Sequence, residues 1–245
     1  MPRGAQDTRQ VILHAAAAEF AARGFAGAGV DRIARRAGVN KAMIYYHFKD
    51  KAHLYHEIVR EMFTAIRSRT GAVAAGHLGP GQKLDGFIDA IVAEMRARPD
   101  LPPVMMREIA EGGQRLGPAT LRTIVGVFAN LQAILDEGAR TGAFKRVDPV
   151  LMYFTLVGPI VMYLAGAPVR ETIGRLKDPG PHGFDAAAFS RHFAAGGDTG
   201  ALSDHLKAAA RRALEREPRR LPAPSISRQR PTGRRRAAGG SGEQA

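Results

Sequence analysis

Two short apolar repeats, one on each side of a glycine, constrain the fold of this chain more than any other feature. Val30, Ile33, Ala34 and Ala37 recur at i, i+3, i+4 and i+7, which is one face of a two-turn helix ending at Gly38. Just beyond, Asn40 is suited to cap a second short helix carrying Ile44 and Phe48. A small residue at Ala34 lets the two helices approach closely. Gly38 offers a turn conformation that a side chain resists, and Val39 with Ile44 fills the angle between them. Two helices joined this tightly form a helix-turn-helix unit.

The outer face of the second helix decides what such a unit does. The stretch GVNKAMIYYHFKDK, residues 38–51, packs two tyrosines, a histidine and three lysines among its apolar positions. With Ile44 and Phe48 turned inward, Asn40, Lys41, Ala42, Met43, Tyr45, Tyr46 and His47 lie outward or at the edge. A helix of this kind enters the major groove of DNA, with its N-terminal residues nearest the base edges. Tyrosine hydroxyls and lysines suit phosphate oxygens, which position a protein without reading sequence. Lys51 opens the following helix, where free backbone N–H groups add to the attraction for phosphate.

Charge supports a polyanionic partner at the same end. Residues 1–53 hold nine Lys and Arg against four Asp and Glu. Residues 54–217 are nearly balanced, at twenty against eighteen, and residues 218–245 carry seven Arg and one Glu. A basic N-terminal segment is the electrostatic footprint of nucleic-acid binding. The C-terminal segment, PRRLPAPSISRQRPTGRRRAAGGSGEQA with its Arg234–Arg236 run, lacks periodicity and reads as a disordered basic tail.

Helix formers dominate and β-branched runs are scarce, so the fold class is all-α. Periodicity and Gly or Pro boundaries predict helices over 8–23, 30–37, a third after Asn40, 51–69, 82–98, 102–111, 118–141, 149–173 and 201–216. GAVAAGHLGPG is expected to be a loop, and residues 174–200 an irregular insertion with a helical piece near 186–193. The chain has no cysteine, which excludes disulfides and thiolate chemistry. Its start shows no signal-peptide pattern, so a cytoplasmic protein is expected.

The stretch ILHAAAAEFAARGFAGAGVDRIARRAGVNKAMIYYHFKDKAHLY, residues 12–55, resembles the DNA-binding domain of the TetR family of transcriptional regulators, through its AGV, IYYHF and following Lys-x-Lys. The resemblance implies a homodimer binding a palindromic double-stranded DNA operator, usually as a repressor. It also implies a three-helix DNA-binding domain (1–53) and a helical ligand-binding and dimerisation domain (54–217). By the same resemblance Lys41, Ala42 and Met43 match base-reading positions, while Tyr45, Tyr46, His47 and Lys51 match phosphate-contacting ones. The chain departs from the family where Thr or Ser gives way to Ala28 and Gly29, and where the usual Gly-Thr is Ala42-Met43.

Past residue 54 the resemblance is one of plan. PPVMMREIAEGGQRLGP, residues 102–118, resembles a subgroup often associated with efflux genes. Phe63, Phe87, Met95, Met105, Met106, Phe128 and Met162 are candidates to line a pocket for an apolar small molecule, with Glu108 or Arg107 as polar anchor. Met and Phe at helical spacing are more often a plain hydrophobic core. The twenty residues 150–169, VLMYFTLVGPIVMYLAGAPV, carry no charge. Their length admits a membrane-anchored DNA-binding sensor, but Gly158-Pro159, Gly166 and Pro168 stand against a span, and a helix apolar all round can equally be buried. The resemblance implies that this helix packs in a dimer interface, paired with the last helix. A third reading is a DNA-binding protein without an inducer. His53 and His56 complete no metal-ligand set, no phosphate loop or catalytic constellation is present, and neither cofactor nor enzymatic activity is expected.

Overall fold

The computed structural model describes residues 5–175, 184–185 and 199–215, which form ten helices and no strand. In chain order they are α1 (Ala5–Gly27), α2 (Val30–Ala37), α3 (Lys41–Phe48), α4 (Lys51–Ala75), α5 (Pro80–Ala97), α6 (Leu101–Ala110), α7 (Pro118–Thr141), α8 (Pro149–Ala165), α9 (Ala167–Gly174) and α10 (Thr199–Leu214). The helical piece expected near 186–193 and the tail 218–245 lie outside the described residues.

The N-terminal unit closes on itself through the residues whose periodicity announced it. Ile12, Ala16 and Phe20 of α1, Ile33, Ala34 and Ala37 of α2, and Ile44 and Phe48 of α3 are all buried. Each large side chain so buried contributes roughly 1.5–3 kcal/mol relative to exposure. α4 then carries the core onward. Its first turns pack on α1 through Tyr55, edge-on to Phe20 at 4.9 Å, and its later turns pack on α5 and α7.

Three boundaries differ from the sequence reading. α1 does not stop at Gly24 but kinks there, at φ 68° and ψ 176°, and resumes as far as Gly27. Only glycine takes that conformation readily. α4 runs past Gly71 to Ala75, and its last turns pack closely: Gly86 of α5 lies against Val73, where an added Cβ would stand 3.1 Å from the valine. Finally, the apolar run expected as one helix over 149–173 is two, broken at Gly166 and bent by 57°. Pro168, in the first turn of α9, cannot donate the N–H that would continue α8.

α10 packs on α5 through a ladder at four-residue spacing. Ser203 donates to Asp89 at 2.6 Å, Lys207 pairs with the same carboxylate at 2.6 Å, and Arg211 pairs with Asp85. By length and hydropathy α7 is apolar enough to span a membrane, yet it packs on α4, α5 and α8.

Candidate nucleic-acid interface

The turn between α2 and α3 is set by two residues. Gly38 sits at φ 65° and ψ 36°, its N–H donating to Arg35 O at 3.2 Å, while Val39 N–H donates to Ala34 O at 3.1 Å. A Cβ at Gly38 would meet nothing within 4 Å, so the backbone angle, not crowding, calls for glycine. A side chain there would cost roughly 1–2 kcal/mol. Asn40 Oδ1 then accepts from Ala42 N–H at 2.9 Å and starts α3, a cap worth about 1 kcal/mol. Asp50 does the same for α4, accepting from His53 N–H at 2.8 Å. At the start of α2, where Gly29 offers no side-chain cap, Arg32 of that helix bonds Glu19 and Gly27 O.

Ile44 and Phe48 are held inside, which turns the remaining face of α3 outward. Asn40, Lys41, Ala42, Tyr45 and Tyr46 are exposed, Tyr46 by 77%. Met43 and His47 lie half-buried at the edge. His47 packs against the Tyr46 ring at 5.1 Å, and its Nε2 is buried without a hydrogen-bond partner.

Two of the candidate lysines have protein partners. Lys41 Nζ lies 2.9 Å from Asp31 Oδ1 at the start of α2. That bond and the Asp31 charge raise the lysine's pKa. Lys51 turns away from the outer face. Its ammonium donates to Phe25 O at 2.9 Å and Ala28 O at 3.1 Å, and stands 4.6 Å over the Phe25 ring. It therefore fastens the α1–α2 turn to α4, a role that spacing within one helix could not reveal. Asp31 escaped the sequence reading for the same reason, since it meets Lys41 only across the turn.

The eight pocket candidates do not converge. Phe63, Phe87 and Met95 are buried core residues. Met105 is half-buried, and Phe128 stacks on Tyr153 at 3.7 Å. Met106 is exposed, and Met162 is 70% exposed on the outer face of α8, so neither is inside the bundle. Glu108 is buried to 1% exposure, where its Oε1 accepts from Tyr55 Oη at 2.6 Å and meets Arg115 Nη1 at 3.3 Å. A cleft of about 270 Å³ opens between α1, α4 and the α5–α6 turn, over Leu13, Ile58 and Leu101 and beside Glu61 and Asp100, and none of the eight lines it. An apolar residue at helical spacing faces a core, a pocket or a partner with equal ease.

Relatives share this organisation. Residues 12–58 match the bacterial regulatory proteins of the tetR family. The HTH-type transcriptional repressor SCO4008 of Streptomyces coelicolor is 26% identical over 216 residues, 87% of this chain and 98% of that protein. The structure of the TetR family regulator PfmR from Thermus thermophilus covers 84% of this chain and 99% of its own, with TM-score 0.55 and 25% identity. FadR from Bacillus subtilis, solved with stearoyl-CoA, covers the same shares with TM-score 0.61 and 20% identity. Residues 12–58 thus match the tetR family's N-terminal domain in sequence, and the helical plan of the chain resembles that of TetR-family transcriptional regulators over most of its length.

Proposed function

We propose that the protein is a cytoplasmic, ligand-responsive repressor that binds a palindromic operator as a homodimer. Residues 1–53 serve the operator, and residues 54–217 serve dimerisation and ligand. The observation that carries the reading is the orientation of α3. Ile44 and Phe48 anchor it in the core, so Asn40, Lys41, Ala42, Tyr45 and Tyr46 share one exposed face. In this reading Lys41, Ala42 and Met43 meet base edges, and Tyr45, Tyr46 and His47 meet phosphates.

The dimer reading is supported by α8. Leu151, Phe154 and Met162 are exposed on its outer side, and Phe128 beside Phe154 links them to Leu121 and Val125 of α7. An apolar face this long marks an interaction surface. The exposed side of α10 carries Asp204, His205, Arg211 and Arg212, so α8 supplies the larger apolar share.

Small-molecule control is supported by the FadR structure with stearoyl-CoA, and the proposed inducer is an apolar molecule. A second reading, DNA binding without an inducer, is favoured by one observation: Phe63, Phe87 and Met95 fill the centre of the C-terminal bundle. Selection of bound fragments from random DNA tests the main reading. The expected product is a palindrome whose half-sites lie about 34–36 Å apart, or a multiple of it. A titration of acyl and aromatic compounds against that operator then separates an inducible protein from a constitutive one.

A further inference from the structure

Where α6 meets the kink of α1, three aromatic rings and two acidic side chains lie together with two arginines, Arg107 and Arg115. Phe20 and Phe25 of α1 flank Tyr55 of α4, with ring centroids 4.9 Å and 5.3 Å from the tyrosine in edge-to-face contact. Arg115, on the turn after α6, lays its guanidinium over Phe25 at 4.9 Å and pairs with Glu108 and Glu111. Glu108 is almost wholly buried, yet its Oε2 has no hydrogen-bond partner. The Tyr55 hydroxyl satisfies only Oε1.

Aromatic faces with a carboxylate at close range are the chemistry by which proteins hold organic cations. Here the cations are part of the chain: Arg115 stands over the Phe25 ring at 4.9 Å and Lys51, tied to main-chain carbonyls, over the same ring at 4.6 Å. Arg115 sits on a short turn with Gly112 and Gly113 at positive φ, and its side chain still reaches solvent. Glu111 stands exposed at the mouth. One carboxylate oxygen is buried with room in its hydrogen-bonding capacity, and the resident cation is tethered rather than entombed.

We propose that this cage is a binding site for an organic cation, an ammonium or guanidinium carried on a small aromatic or aliphatic body, and that Arg115 is its built-in competitor. An incoming cation takes the place of the Arg115 guanidinium over Phe25 and its contacts to Glu108 and Glu111, Lys51 keeps its own, and Arg115 swings out on its glycine turn. Of the residues expected from the sequence to hold an apolar ligand, Glu108 belongs to this site. The walls belong to the helices on both sides of Gly24, where α1 bends, so occupancy bears on the pose of α1. Any effect on the operator rests on the repressor reading, whereas binding itself does not.

Benzyltrimethylammonium, with benzyl alcohol as the neutral control, tests the proposal by isothermal calorimetry on the full chain. Arg115→Gln removes the competitor and should tighten binding of the ammonium probe at least about tenfold relative to the parent chain. Glu108→Gln should abolish it, and benzyl alcohol should bind none of the three. Arg115→Lys keeps a charge in place but loses the flat fork, so it should fall between parent and Arg115→Gln; it also covers the case in which the glutamine variant does not fold. Equal affinity in Arg115→Lys and the parent, undiminished binding in Glu108→Gln, or equal binding of benzyl alcohol would overturn the proposal. These measurements use no DNA, so their failure is distinct from a failure to bind an operator.

Discussion

Lys41 and Asp31 face each other across the α2–α3 turn, ammonium nitrogen to carboxylate oxygen at 2.9 Å, both on the exposed side of the unit. An ion pair between exposed groups stabilises the fold by little, typically under about 1 kcal/mol. Its consequence is electrostatic and local. Asp31 sets a negative charge beside the residue proposed to read a base, and opposes its capture by phosphate. Asp31→Asn should therefore raise affinity for random DNA more than for the operator. A drop in random-DNA affinity, measured by fluorescence anisotropy at fixed salt, would sink the idea.

Lys41 itself separates reading from holding. Donation to guanine O6 and N7 is worth about 1–3 kcal/mol of discrimination. Lys41→Ala should cost operator affinity mainly at one base pair in each half-site, as read by selection on randomised operators. An even loss across all sequences would make Lys41 a phosphate contact.

Tyr46 and Lys51 should part company in a stability measurement, although both match phosphate-contacting positions. Tyr46 is exposed by 77%, so Tyr46→Phe should weaken binding to operator and random DNA alike while leaving the thermal midpoint unchanged. Lys51→Ala removes two bonds to main-chain carbonyls, Phe25 O and Ala28 O. Hydrogen bonds to a charged group contribute about 1.5–3 kcal/mol each at most, so a clear fall in midpoint is expected. An unchanged midpoint in Lys51→Ala means that the clamp on the α1–α2 turn contributes nothing.

How much of this was legible in the sequence follows from the range of each interaction. α3 appears at its expected place because Gly38, Asn40 and the Ile44–Phe48 pair all act within a few residues of one another. The role of Lys51 was hidden because its acceptors lie 26 and 23 residues upstream, across a chain reversal. The loop expected from Gly71 failed for a related reason. A glycine inside a helix, as Gly71 is in α4, looks in one dimension like a glycine that ends one. Met162 shows the limit of periodicity: an apolar position states that something covers it, not whether that cover is the same chain.

Acid should loosen the seam between α1 and α4. Arg60 and then Arg9 bond the Glu57 carboxylate, Arg9 Nη2 at 2.6 Å, and they hold its pKa below the ordinary 4.5. A carboxylate depressed in the folded state binds protons more readily when unfolded. Its stabilisation is therefore complete above pH 4.5 and lost as pH falls through the depressed folded value. Glu57→Gln should lower the thermal midpoint at pH 7 and converge on the parent below the ordinary carboxylate range. A gap that stays constant from pH 7 to pH 3 would assign the loss to packing instead of charge.

The last prediction concerns the outer face of α8. Phe154 is 60% exposed and packs edge-on beside Phe128 at a ring distance of 6.0 Å, with Leu151 and Met162 exposed on the same helix. Burying such a side chain in an interface contributes roughly 1.5–3 kcal/mol, and a twofold axis counts each residue twice. A charge at position 154 instead places two like carboxylates in an apolar contact, so Phe154→Glu should shift the chain from dimer to monomer in light scattering at micromolar concentration. Operator affinity should fall with it, since a monomer engages one half-site at a time and loses the effective concentration that linkage provides. A control on the opposite side of the argument is Asp204→Lys on α10, where the exposed face is polar. If that variant dissociates the dimer and Phe154→Glu does not, the interface lies on α10 and the apolar face of α8 serves another partner.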